Sequence, residues 1–141
     1  MQAGDCFLIG GHELTPHLWI ILTRPSGDPA RVLIASCTSR KPWSDDTVLL
    51  DRGDHPFIRH ETVIAYTEIR IVEARVIEFQ LGLGKITRRE RMRRAVLDRV
   101  VEAVLNSTNA AAKFKQFILD QDDRSDATPK PAEKARGSRG G

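Results

Sequence analysis

Apolar residues in the first half of this chain come in short, closely spaced blocks. GDCFLI (residues 4–9), HLWIILT (His17 to Thr23) and RVLIAS (Arg31 to Ser36) are rich in β-branched and aromatic residues and too short for helices, so each predicts a buried strand. Between the last two, PSGDP (Pro25 to Pro29) predicts a tight turn, which makes the pair a hairpin. Residues 10–16 read as a flexible loop and CTSRKPWSDD (Cys37 to Asp46) as a second loop, loaded with hydroxyls and cations. Thr47 to Leu50 predicts a short strand, and Glu61 to Tyr66 with Arg70 to Val72 one more, bent near Thr67 and Glu68.

The period then changes. Ala74 to Leu81 predicts a short helix ended by the glycines of GLG (residues 82–84). Thr87, followed three residues on by Glu90, matches a capping box and predicts a helix to about Leu105. Val96, Leu97, Val100, Val101, Val104 and Leu105 share one face of it, and Arg93, Arg94 and Asp98 point outward. Ala110 to Leu119 reads as a second short helix or a docking segment. From Gln121 the chain is polar, rich in Pro, Gly and Ala, and without period. The expectation is one domain over residues 1–120 and a disordered tail over 121–141. Five or six short strands without helices among them predict a mainly β (α+β) fold, a small antiparallel barrel with a C-terminal amphipathic helix.

Composition narrows this picture only a little. The chain has 141 residues, a net charge of +3 and a pI near 9.1. Seven basic residues against two acidic ones lie between Lys85 and Arg99, a run that fits either a solvated helix face or a nucleic-acid contact. No apolar run is long enough to span a bilayer, and the N-terminus lacks the basic start of a secretory signal, so a cytoplasmic location is expected. Cys6 and Cys37 fall in strand-like segments with no zinc spacing and read as reduced core thiols.

The densest chemistry lies between Arg52 and Tyr66. In RGDHPFIRH, Gly53 and Asp54 favour a turn, Pro56 keeps His55 extended, and Phe57 and Ile58 are placed to pin the loop to a core. His55 and His60 are candidates for acid and base, with Arg59 as a phosphate clamp. All four histidines, His12, His17, His55 and His60, lie in the first 60 residues, at strand ends or in loops. With Thr38, Ser39, Arg40 and Lys41 they suit attack on a phosphodiester by a metal-independent ribonuclease. One group takes the ribose 2′-OH proton, another protonates the leaving 5′-oxygen, and cations and hydroxyls hold the phosphorane. Trp43 is placed to stack on an unpaired base. No cofactor is needed. Each residue also has a structural reading: His55 as a turn histidine, His17 as a backbone partner, Thr38 and Ser39 as turn or cap residues, Trp43 as a lid on a core edge. A non-catalytic module binding nucleic acid or a partner protein through the Lys85 to Arg99 run is the alternative, and a metal hydrolase using the four histidines a third.

Taken in order, GDCF, HLWIIL, VLIASCTS, VIAYTEIRIVE and RRAVLDRVVEAVL resemble the PemK/MazF-like toxins of type II toxin-antitoxin systems, over roughly Gly4 to Leu105. GDHPFIRH resembles a subgroup with a GDHPFI loop. The resemblance implies an SH3-like barrel, a homodimer, cleavage of single-stranded RNA and neutralisation by an antitoxin. It also implies that Thr38 binds the scissile phosphate. Two departures stand out. His17 falls where the family's catalytic arginine opens the second strand, and the family's later Arg and Asp pair falls near Ala65 and Thr67. Either His17, His55 and His60 have taken over that chemistry or the usual activity is lost.

Overall fold

The two longest apolar blocks are nearly continuous rather than alternating because both of their faces are buried, the pattern of strands inside a covered sheet. In the computed structural model, which describes residues 1–10 and 15–127 and side chains as far as 121, they form the centre of an antiparallel sheet. Among the described residues the strands are β1 (Cys6–Ile9), β2 (His17–Ile21), β3 (Arg31–Ser39), β4 (Thr62–Ile64), β5 (Arg70–Glu73) and β6 (Thr87–Arg89). The helices are α1 (Ala74–Gly82), α2 (Arg94–Asn106) and α3 (Ala112–Ala127). The protein is thus α+β, with strand order β4-β3-β2-β1-β6 and β5 also on β3. β4 and β6 do not pair, so the sheet is open rather than closed into a barrel.

β3 carries most of the architecture. It pairs with β2 through Ile34, Ala35 and Ser36, with β5 through residues 31–34, and with β4 through residues 37–39. Five residues, 65–69, separate the β4 and β5 pairings, against only two, 35–36, on β3. A single 3-10 turn at Tyr66–Glu68 takes up the excess, where the sequence places the bend. Alternate residues of β2 and β3 serve two cores. Leu18, Ile20, Leu33, Ala35 and Cys37 meet α2, α3 and the connecting loops, while Trp19, Ile21, Val32 and Ile34 meet α1 through Ala74 and Ile77. On α2, Val96, Leu97, Val100 and Val104 are buried and Arg94 pairs outward with Asp98 at 2.9 Å. Each such side chain contributes about 1.5–3 kcal/mol. Cys6 and Cys37 are free and buried, and burial pushes both thiols up to about 12.

The structure corrects four local expectations. Thr87–Arg89 is strand β6, not the first turn of a helix, because the free edge of β1 takes it through Leu8, Phe7 and Cys6 opposite Thr87, Arg88 and Arg89. The helix starts at Arg94, after Arg93 as an N-cap with no side-chain cap. Residues 47–50 make only one bridge, Leu50 to Thr62, rather than a strand. β3 runs on to Ser39, so Thr38 and Ser39 stand on a strand end instead of in a loop. α3 continues through residue 121 to Ala127, past the expected start of the tail; residues 128–141 lie outside the described ones.

The segment between β3 and Leu50 has little strand pairing, and one carboxylate ties it down. Asp45 Oδ2 accepts from Ser107 Oγ at 2.6 Å and Asn109 Nδ2 at 2.7 Å, while Oδ1 accepts from the Thr47 amide at 2.9 Å and its hydroxyl at 2.6 Å. Burial works to raise this carboxyl, but the donors from Ser107, Thr47 and Asn109 outweigh it and hold it well below the usual carboxylate range. A depressed folded-state value stabilises the fold fully above the unfolded value of about 3.9, and that stability is lost as pH falls toward the folded value. Asp45→Ala is therefore expected to cost about 1–3 kcal/mol at pH 7 in urea unfolding. The gap to wild type should narrow below about pH 4, and a gap unchanged into acid would disprove the assignment.

Candidate functional site

The ends of β2, β3 and β4 and the loop after Leu50 surround a groove of about 660 Å³. His17, Thr38, Ser39, Lys41, Arg59 and His60 all line it. Each arrives for a local reason. His17 opens β2 just after Pro16, exposed at the sheet's end, and Nδ1 lies 3.1 Å from the Cys37 carbonyl. A carbonyl only accepts, so Nδ1 carries the hydrogen and, in the neutral ring, Nε2 carries the lone pair. Thr38 and Ser39 end β3 opposite Val63 and Thr62. His60 comes two residues before β4, and its Nε2 lies 2.8 Å from Ser39 Oγ. The guanidinium of Arg59 and the ammonium of Lys41 form no ion pair among the described residues, which leaves their charges for a ligand.

The wall between β4 and the loop is built by Arg52–His60, and here the expectation from sequence holds in part. Gly53 has φ of 98°, a left-handed conformation that favours glycine, and Asp51 and Asp54 close the turn on each other's amides at 2.9 and 3.0 Å. Ile58 is buried in the larger core and Phe57 packs against it, with the Arg89 guanidinium 5.2 Å from the Phe57 ring centre. His55, however, is buried, and it is absent from the groove lining. Its Nδ1 accepts the Phe57 amide at 3.0 Å and its Nε2 donates to the Glu90 carbonyl at 2.6 Å. Neither nitrogen is left for a substrate, so the expected catalytic role of His55 is replaced by a structural one, fastening the loop to the end of β6.

The remaining expectations divide as well. Arg40 is held by Asp46 at 3.0 Å and Glu61 at 3.3 Å, its value raised first by the Asp46 hydrogen bond, and it does not line the groove. Trp43 is 81% exposed and also stands outside the lining. His12 lies outside the described residues. The groove adds Thr15 and Phe57, which the sequence did not single out as site residues, and Arg89, which it placed only in the basic run from Lys85 to Arg99. Arg89 was hidden by the capping-box match, and the β-branched pair Ile86 and Thr87 after GLGK was the signal for a strand there.

The six arginines of the basic run from Lys85 to Arg99 all have a carboxylate within 4.0 Å. Arg88 and Arg91 reach Asp5 at 3.7 and 3.2 Å, Arg99 reaches Asp54 at 3.2 Å and the Leu49 carbonyl at 2.8 Å, and Arg94 pairs with Asp98. Among the described residues no three His, Cys, Asp or Glu side chains gather as they would around a metal ion. No helix there is long and apolar enough to cross a membrane.

The chain matches no protein-family model and has no significant match among curated proteins.

His55→Ala is expected to lower unfolding stability by about 1–3 kcal/mol, the cost of leaving the Glu90 carbonyl and Phe57 amide without partners. Chemical denaturation of the variant checks this. A variant as stable as wild type would remove the structural role.

Proposed function

We propose that the groove is the active site of a metal-independent endoribonuclease acting on single-stranded RNA. The observation that carries this reading is the convergence of two histidines, three hydroxyls and two unpaired cations, His17 and His60, Thr15, Thr38 and Ser39, Lys41 and Arg59, on one groove. His17 is cast as the base because its Nδ1–H is committed to the Cys37 carbonyl, which leaves Nε2 to take the proton of the ribose 2′-OH. The 2′-oxygen then bonds to phosphorus, the bond to the 5′-oxygen breaks, and protonated His60, steadied by Ser39, donates a proton to that oxygen. Lys41, Arg59 and the Thr38 hydroxyl meet the charge on the phosphorane. The products are a 2′,3′-cyclic phosphate and a 5′-OH end.

The resemblance to PemK/MazF-like toxins supports the same chemistry by another route. On that reading the open six-stranded sheet is an SH3-like relative, His17 stands in for the family's arginine, and His60 for its missing later pair. The biological setting we propose is accordingly a cytoplasmic toxin that forms a homodimer and is neutralised by an antitoxin.

Purified protein incubated with a long single-stranded RNA in EDTA is expected to yield 5′-OH fragments. His17→Ala and His60→Ala should each slow cleavage by about 100- to 10,000-fold, while Trp43→Ala should leave the cleavage step itself intact. RNA binding without any 5′-OH product would make the groove a binding site instead of a catalytic one. Full activity in either histidine variant would dismiss the assigned roles.

A further inference from the structure

Behind the wall formed by residues 52–60 lies a second cavity of about 720 Å³, lined by Arg52, Arg59, Arg91 and Arg93 together with Asp54 and Glu90. Four guanidinium groups around one cleft are costly to gather unless something anionic joins them. Three of them are held in place by backbone carbonyls, and of these Arg91 is also ion-paired with Asp5, a carboxylate it shares with Arg88. Arg52 donates to the Arg59 carbonyl at 3.4 Å, Arg93 to the Gly53 carbonyl at 3.1 Å, and Arg91 to the Ala3 carbonyl at 2.9 Å, with Asp5 beside it at 3.2 Å. The two carboxylates of the lining already have closer partners elsewhere. Asp54 takes Arg99 at 3.2 Å against 4.0 Å to Arg93, and Glu90 takes Arg89 at 2.9 Å. Positive charge therefore dominates the cleft, supplied by side chains whose planar donor forks match phosphate oxygens.

This cleft and the histidine groove share Pro56, Ile58 and Arg59. Arg59, without an ion-pair partner among the described residues, stands on the ridge between them. We infer that the arginine cleft binds a second backbone phosphate of the same RNA strand, so that the substrate is an oligonucleotide laid across Arg59, and a dinucleotide fills only the groove. The inference rests on the groove's being the RNA site. It also accounts for three arginines, Arg52, Arg91 and Arg93, that the bond-breaking chemistry does not require.

Fluorescence anisotropy with 2′-O-methyl single-stranded RNA, whose blocked nucleophile prevents cleavage, separates the two claims. Wild-type protein is expected to bind an octanucleotide at least about tenfold more tightly than a dinucleotide. Arg52→Gln with Arg93→Gln should remove most of that advantage, leave dinucleotide affinity within about twofold, and reduce the salt slope by about 0.7 for each phosphate no longer neutralised. Arg52→Gln alone, an exposed side chain that touches one carbonyl, should lose part of the advantage and shows that the effect is not a folding defect at Arg93. Equal affinity of wild type for both lengths, or an octanucleotide affinity untouched in both variants, would overturn the second phosphate site and leave the groove reading standing. Failure of wild type to bind either RNA would overturn both.

Discussion

β3 is buried on both faces and hydrogen-bonded along both edges, and the rest of the molecule is arranged to satisfy it. Its backbone groups need partners from β2 on one side and from β5 and β4 on the other, since a buried amide or carbonyl left unpaired costs more than the bond contributes. Its alternate side chains need a core above and another below, which α1 supplies on one face and α2 and α3 on the other. The strand leaves the interior only at its two ends, at Arg31 and at Thr38 and Ser39. The candidate site begins at Thr38 and Ser39, where the strand, held there by β4, presents two hydroxyls at its end.

The loop that faces this strand end is rigid for a different reason. Residues 51–60 form no strand or helix, yet Ile58 enters the core and His55 spends both ring nitrogens on backbone groups. A histidine used in this way binds the loop to β6 and so fixes where Arg59 and His60 stand. The loop then separates a groove with two usable histidines from a cleft with four arginines. Those two histidines and most of the arginines thus lie on opposite sides of one wall, with Arg59 lining both cavities.

Much of the fold was legible along the chain. The hairpin of β2 and β3, the bend before β5, α1 and the buried face of α2 all follow from apolar blocks and turn residues. Legibility failed where local chemistry competed with an edge that needed pairing. Thr87 and Glu90 have the form of a helix cap, but the open edge of β1 recruits Thr87–Arg89 as a strand. Asp45, Thr47, Ser107 and Asn109 are ordinary polar residues in sequence, 62 positions apart at the longest hydroxyl bond, and form a tie only in three dimensions. Of the residues singled out along the chain, His17, Thr38, Ser39, Lys41, Arg59 and His60 share a groove. Arg40, Trp43 and His55 were indistinguishable from them by type.

By itself the sequence determined which segments are buried strands, where they turn, and which histidines, hydroxyls and cations stand near strand ends. Hydrophobic period and turn chemistry are local properties, and they are written in consecutive residues. The tertiary structure alone decided which of the two loop histidines faces solvent, which arginines are already paired with Asp5 or Asp54, and that two cavities meet at Arg59. Those outcomes depend on partners tens of residues away, and a side chain's freedom to act is set by whether such a partner has claimed its polar atoms.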